Sequence, residues 1–133
     1  MADLLKDIGS YLISKGIYTG LAKDVFIDSR PDLPDKACCI FEYQGSPTTP
    51  LSGESLERRV QILTRDSSSA AAKSKAWEIF NLLDKADDPE DVIDLSETRY
   101  GIFSALQPPF KLEIDGKQRS VYVCNYSVIS TRD

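Results

Sequence analysis

The hydrophobic period of this chain changes abruptly at Ser67. Between Ser55 and Thr64 apolar and polar residues alternate: Leu56, Val60 and Ile62 share one parity with Arg58, while Arg59, Gln61 and Arg65 fall largely on the other. This is the pattern of a half-buried strand. From Ser67-Ser68-Ser69 the spacing turns helical, with Ala72, Ala76, Ile79, Phe80 and Leu83 in one stripe and the serines available as caps. A stripe of that width has to be covered by a sheet, and Trp77, to its side, is expected at the rim of the core.

The remaining elements are read around that pair. Asp3 is an N-cap for a short amphipathic helix whose Leu5, Ile8 and Leu12 share a face, and Gly16 is its stop. Asp24-Val25-Phe26-Ile27 reads as a brief strand, followed by an irregular connection enforced by Pro31 and Pro34. Ala37 to Tyr43 is a second, apolar strand. Gln44 to Glu54 is small, polar and Pro-containing without periodicity, so it reads as a long loop between strands. The stretch 84–97 reads as an acidic connection. Tyr100 to Leu106 is a strand broken by Pro108-Pro109. Phe110 to Ile114 and Ser120 to Thr131 then flank Asp115-Gly116, the dipeptide favoured in type I′ hairpin turns. Helix, strands, helix, strands is the order of an α+β fold: a mainly antiparallel β-sheet with helices packed on one face. At 133 residues, the chain 1–133 is expected to be a single domain.

Charge and residue content narrow the chemistry. The chain has no histidine, which removes the Ser-His, Cys-His and His-zinc arrangements. A net charge of −5 argues against a nucleic-acid binder held by a basic face. Residues 84–97 hold seven acids and one base, a net of −6, so the rest of the chain stands at +1 and the acidity is local. The Gly45–Gly53 stretch lacks the Gly-Lys-Ser/Thr ending of a phosphate-binding loop. The acidic run lacks the alternating ligands and central glycine of a calcium loop. Cys38, Cys39 and Cys124 have neither zinc nor thiol-redox spacing, and neighbours on one strand point to opposite sides. They are read as reduced, apolar, part-buried residues of a cytosolic protein. The longest apolar run, Ala37 to Phe41, is too short to span a membrane, and the N-terminus has no secretory pattern. No carboxylate pair has a spacing that marks an acid–base couple. No catalytic residue, cofactor or metal is therefore expected. Arg58, Arg59 and Arg65 are read either as the solvated face of an edge strand or as a subunit contact.

Glu57-Arg58-Arg59-Val60-Gln61-Ile62-Leu63-Thr64-Arg65-Asp66, running into Ser67-Ser68-Ser69-Ala70-Ala71-Ala72 and a helix ending Ile79-Phe80-Asn81-Leu82-Leu83-Asp84, resembles the minor capsid or tail terminator (tail-to-head joining) proteins of long-tailed bacteriophages. The similarity extends over nearly the whole chain, including the N-terminal helix, the exit Arg30-Pro31-Asp32-Leu33-Pro34 and the closing strands. It implies a structural virion protein, not an enzyme. Such a protein forms a hexameric ring on the head-proximal end of the tail tube, stops tube polymerisation and offers a docking surface to the DNA-filled head. The implied partners are other copies of the chain, the tail tube protein and the head connector or stopper protein, with DNA only passing through and no membrane contact. Assembly would take place in the bacterial cytoplasm. Under this reading Gln44, Gly45, Ser46, Pro47, Thr48, Thr49, Pro50, Leu51, Arg58 and Arg59 are expected to contact neighbouring subunits or the tube, with the loop ordering only on the tube end. Asp87, Asp88, Glu90 and Asp91 would either line the lumen, where carboxylates repel phosphate, or form an outer solvated loop. The alternatives are a head-completion (stopper) protein of the connector and, from another class, a small ligand-binding domain or enzyme.

Overall fold

The computed structural model describes residues 3–43, 55–84, 92–96 and 99–131. Helix α1 (Leu4–Ser14) starts where the Asp3 carboxylate accepts the Leu5 N–H at 3.0 Å, and it ends at Gly16, whose φ of 77° suits a residue without a Cβ. Strands β1 (Val25–Ile27), β2 (Ala37–Tyr43) and β3 (Ser55–Asp66) follow. Helix α2 (Ser69–Leu83) is capped by Ser68 Oγ, which accepts the Ala71 N–H at 3.2 Å. Strands β4 (Ile93–Ser96), β5 (Arg99–Ala105), β6 (Phe110–Ile114) and β7 (Ser120–Thr131) complete the chain.

The strands form one sheet in the order β1-β2-β3-β7-β5-β4, with β6 also paired to β7. All pairings are antiparallel except β1 with β2, so the sheet is mixed but mainly antiparallel. The long strands β3 and β7 pair from Ser55↔Thr131 to Asp66↔Ser120 and form its spine. Along the other side of β7, β6 pairs with residues 120–123 and β5 with residues 126–130. β5 and β6 are thus two pieces of one strand line, separated by Leu106–Pro109, because proline cannot donate a ladder bond.

One face of the sheet carries the main core. Cys38, Ile40, Val60, Ile62, Phe103, Cys124, Tyr126 and Val128 meet Leu5, Ile8 and Leu12 of α1 and Ile79 and Leu83 of α2. Lys75 ties α2 to the chain after α1, donating to the Ile17 carbonyl at 2.9 Å, and Arg99 Nε donates to Asp7 Oδ2 at 2.8 Å. The opposite face carries a smaller cluster of Cys39, Leu63, Val121 and Val123, with Phe26 and Phe41 against it. Cys38 and Cys39 therefore do face opposite sides, and all three thiols are free and buried. Trp77 is half-buried and meets Phe80 edge-on at 5.1 Å, in keeping with the rim position.

Three expectations are corrected. β3 is an interior strand between β2 and β7, so its arginines do not guard an edge, and Arg65 is buried. The stretch 84–97 is not all connection: Ile93 and Leu95 alternate inward in β4, two apolar side chains being enough to fasten a short strand to β5. The β6–β7 turn is not type I′ on Asp115-Gly116. Gln118 N–H bonds the Asp115 carbonyl at 3.0 Å, and Gln118, at φ 62°, takes the left-handed conformation, giving a three-residue loop with a bulge.

Candidate functional site

Parallel pairing of β1 and β2 forces residues 28–36 to run back along the sheet, in a connection shorter than the dozen or more residues such a crossover ordinarily needs. Two arginines fix it. Arg65 Nη2 donates to the Pro34 carbonyl at 2.6 Å and its Nε to the Asp35 carbonyl at 3.2 Å. Arg119, only 4% exposed, donates to the Asp32 carbonyl, to Asp32 Oδ1 at 3.2 Å, to Asp35 Oδ1 at 3.3 Å and to Asp115 Oδ2 at 2.8 Å. Lys117 Nζ pairs with Asp32 at 2.5 Å and Arg30 with Glu113 at 2.6 Å. Arginine suits this work because its planar fork holds several oxygens at once and stays charged when desolvated. The bond from Lys117 holds the Asp32 carboxyl below the usual carboxylate range, with Arg119 adding to it. Desolvation would raise Asp115, but the backbone and guanidinium donors of Arg119 and the Lys117 N–H outweigh it and lower it.

The network joins the 28–36 connection to the β6–β7 hairpin as one unit, and that unit displays apolar side chains. Leu33, on the connection, is 66% exposed; on β6, Phe110, Leu112 and Ile114 are 44%, 49% and 55% exposed. Every residue of β6 is exposed, and among the described residues no strand pairs with its outer edge. At the other end of the sheet, beside edge strand β1, an open groove of about 330 Å³ is lined by Leu21, Val25, Phe26 and Ile27, with Asp3, Lys6 and Ser29 among its polar residues.

The sequence-predicted contact residues fall apart in the structure. Gln44, Gly45, Ser46, Pro47, Thr48, Thr49, Pro50 and Leu51 lie outside the described residues, as do Asp87, Asp88, Glu90 and Asp91. Arg58 and Arg59 are adjacent on β3 but point to opposite faces. Arg58 is on the helix side and forks onto Glu42, with Nε and Nη2 both 2.7 Å from its carboxylate. Arg59 is on the other side, its buried Nε 3.6 Å from Glu57 Oε1 and without a hydrogen bond among the described residues. Sequence reasoning missed Arg119 and the exposed strand. Arg119 follows a turn, where no periodicity marks it. Phe110, Leu112 and Ile114 alternate with Lys111 and Glu113 as in a half-buried strand, but a bulge between Lys111 and Glu113 interrupts the alternation, and all five residues are exposed among the described residues.

Among the described residues no group of three or more Cys, Asp or Glu side chains converges as a metal site would, and no helix is long and apolar enough to cross a membrane. The accessible features are sheet edges, an apolar groove and a pinned connection. They belong to a small α+β protein whose described surface carries exposed apolar side chains and an apolar groove. The family model for the bacteriophage tail terminator protein matches residues 4–132, and the chain belongs to that family. The family is structural, so the protein is a virion component that works through contacts with other tail and head proteins. No curated protein matches the chain at a significant level.

Proposed function

We propose that copies of this chain close into a hexameric ring on the head-proximal end of the tail tube, stop its growth and present the surface on which the DNA-filled head docks. The family match over residues 4–132 carries this reading. The outer edge of β6, unpaired among the described residues, and the groove beside β1 support it, because a ring needs two different patches on each subunit. Arg59 is a better contact residue than Arg58: its side chain is 41% exposed, whereas that of Arg58 is 14% exposed and its fork is occupied by Glu42. Residues 44–51 are proposed as a further contact on their composition alone. The acidic residues 87, 88, 90 and 91 are proposed to face the passing DNA. Replacing those four with Asn or Gln is expected to slow DNA delivery, and unchanged delivery would remove them from the lumen.

Electron microscopy of lysates from a phage deleted for this gene tests the function. Overlong tails beside unattached, DNA-filled heads are expected. Normal-length free tails beside emptied heads would instead assign the protein to head completion.

A further inference from the structure

We propose that residues 29–35 form a strap, latched by Arg65 and Arg119 over the smaller apolar cluster, that opens apart from the rest of the sheet once the latch is loosened. The strap belongs to the subunit itself, whether or not copies close into a ring. Three observations carry this.

The first is how the strap is fastened. Among the described residues no backbone–backbone hydrogen bond reaches residues 29–35; the bond before them, from the Asp28 N–H to the Ile40 carbonyl at 2.9 Å, marks where β1 ends. Side chains hold the strap's carbonyls instead: Arg65 holds those of Pro34 and Asp35, and Arg119 that of Asp32. Burial adds little, because residues 32–35 are exposed and Leu33, the largest apolar side chain among them, is 66% exposed. A segment with few buried apolar contacts and no ladder bonds belongs to the low-stability end of a fold unless something ties it down.

The second is what lies beneath. Arg65 pairs with Ala37 and Val121, and Leu63 with Cys39 and Val123. Two residues apart on one strand, Arg65 and Leu63 share a face. That face carries the cluster of Cys39, Leu63, Val121 and Val123, each 5% exposed or less. Both helices pack on the other face, against Cys38 and Cys124. The strap is therefore bonded to the side of the sheet that the helices leave uncovered. Burial pushes the Cys39 thiol up, while the Arg65 and Arg30 guanidinium groups pull against it, so one latch side chain and one strap side chain both stand near that thiol.

The third is where the latch is anchored. Arg119 belongs to the β6–β7 hairpin: its Nε donates to Asp115 Oδ2 at 2.8 Å and its N–H to Asp115 Oδ1 at 3.0 Å. From there it reaches Asp32 and Asp35 on the strap. The pairs of Lys117 with Asp32 and of Arg30 with Glu113 are more exposed and contribute less. Loss of Arg119 removes no ladder bond and no helix contact, so the strap can lift while the sheet and helices stay. Lifting it uncovers Cys39 and leaves Cys38 and Cys124 beneath the helices.

Alkylation of the native protein by iodoacetamide at mildly alkaline pH tests this, with each thiol followed separately by tandem mass spectrometry. In the wild type all three should react slowly. In Arg119→Ala, Cys39 should react at least about tenfold faster than Cys38 and Cys124, the equivalent of one lost charge-assisted bond. Asp115→Asn loosens the anchor at nearly constant volume and should act in the same direction to a smaller extent, which keeps the test available if Arg119→Ala does not fold. Equal acceleration of all three thiols would overturn the proposal, because the arginine would then serve the whole fold. Cys39 unchanged in both variants would overturn it too, since the strap would stay closed without its latch. Cys39 already fast in the wild type would show that no latch holds it.

Discussion

Single residues at two positions decide local geometry in ways that mutation can read. Gly101 in β5 faces the ring of Phe103, and a Cβ there would come within 2.8 Å of Phe103 Cε1. Phe103 is fully buried against Tyr126, so its ring has little room to move. Gly101→Ala is expected to cost about 1–3 kcal/mol through overpacking, read as a lower urea midpoint, whereas Gly116→Ala, with open space around it, should leave the midpoint almost unchanged. Asp24 is the second position. Its buried carboxylate accepts bonds of 3.0 Å from the Thr19 N–H and hydroxyl and from the Gly20 N–H. Burial pushes its pKa up, but these donors, with Lys36 nearby, outweigh it and hold the group below its ordinary value. A depressed native pKa means stability that is complete above the unfolded value of about 3.9 and is lost as pH falls through the native one. Urea midpoints should therefore drop as the pH is lowered below about 4, and Asp24→Asn should flatten that drop while lowering stability at neutral pH.

Elements are joined by a few polar ties that the apolar pattern does not reveal. Arg119 is the hub between the 28–36 connection and the β6–β7 turn, and Arg119→Ala removes every bond its guanidinium makes to Asp32, Asp35 and Asp115. Hydrogen exchange should then rise across residues 28–36 and the turn, while amides of β5 keep their protection. Unchanged exchange across residues 28–36 would mean that Arg65 alone holds the connection. Lys117 and Asp32 are largely exposed, so Lys117→Ala is expected to do little. The tie between α1 and β5 differs in burial: the Arg99 side chain is 1% exposed and Asp7 holds its Nε. Asp7→Ala removes one charge-assisted bond from that buried guanidinium and should destabilise the fold by about 1.5–3 kcal/mol, measured by urea denaturation. Neither tie is legible beforehand. Arg119 and Asp32 are 87 residues apart and Arg99 and Asp7 are 92 apart, and spacing carries no signal at such range.

At the scale of the whole molecule, the buried thiols report on global opening. Cys38 and Cys39 lie on β2 and Cys124 on β7, all inside the sheet, and burial raises all three thiols above their ordinary range. All three should alkylate slowly and at similar rates in the native protein, and quickly in denaturant. A single fast thiol would reveal local opening of its strand. Apart from β4, the order of elements was readable from sequence: Ser67–Ser69 caps, the Ala72-to-Leu83 stripe and the run Ala37 to Tyr43 lie where the structure has them, because capping and side-chain periodicity are local properties of the chain. So was the α+β class, and with it the family. The order of strands in the sheet was not local. The interior place of β3, the parallel β1–β2 pair, the pinning of residues 28–36 by Arg65 and Arg119 and the outer edge of β6, unpaired among the described residues, all depend on which strands meet. Alternation tells a strand that it has two faces, and only the packing of the remaining chain determines which face is covered and which is left for another molecule.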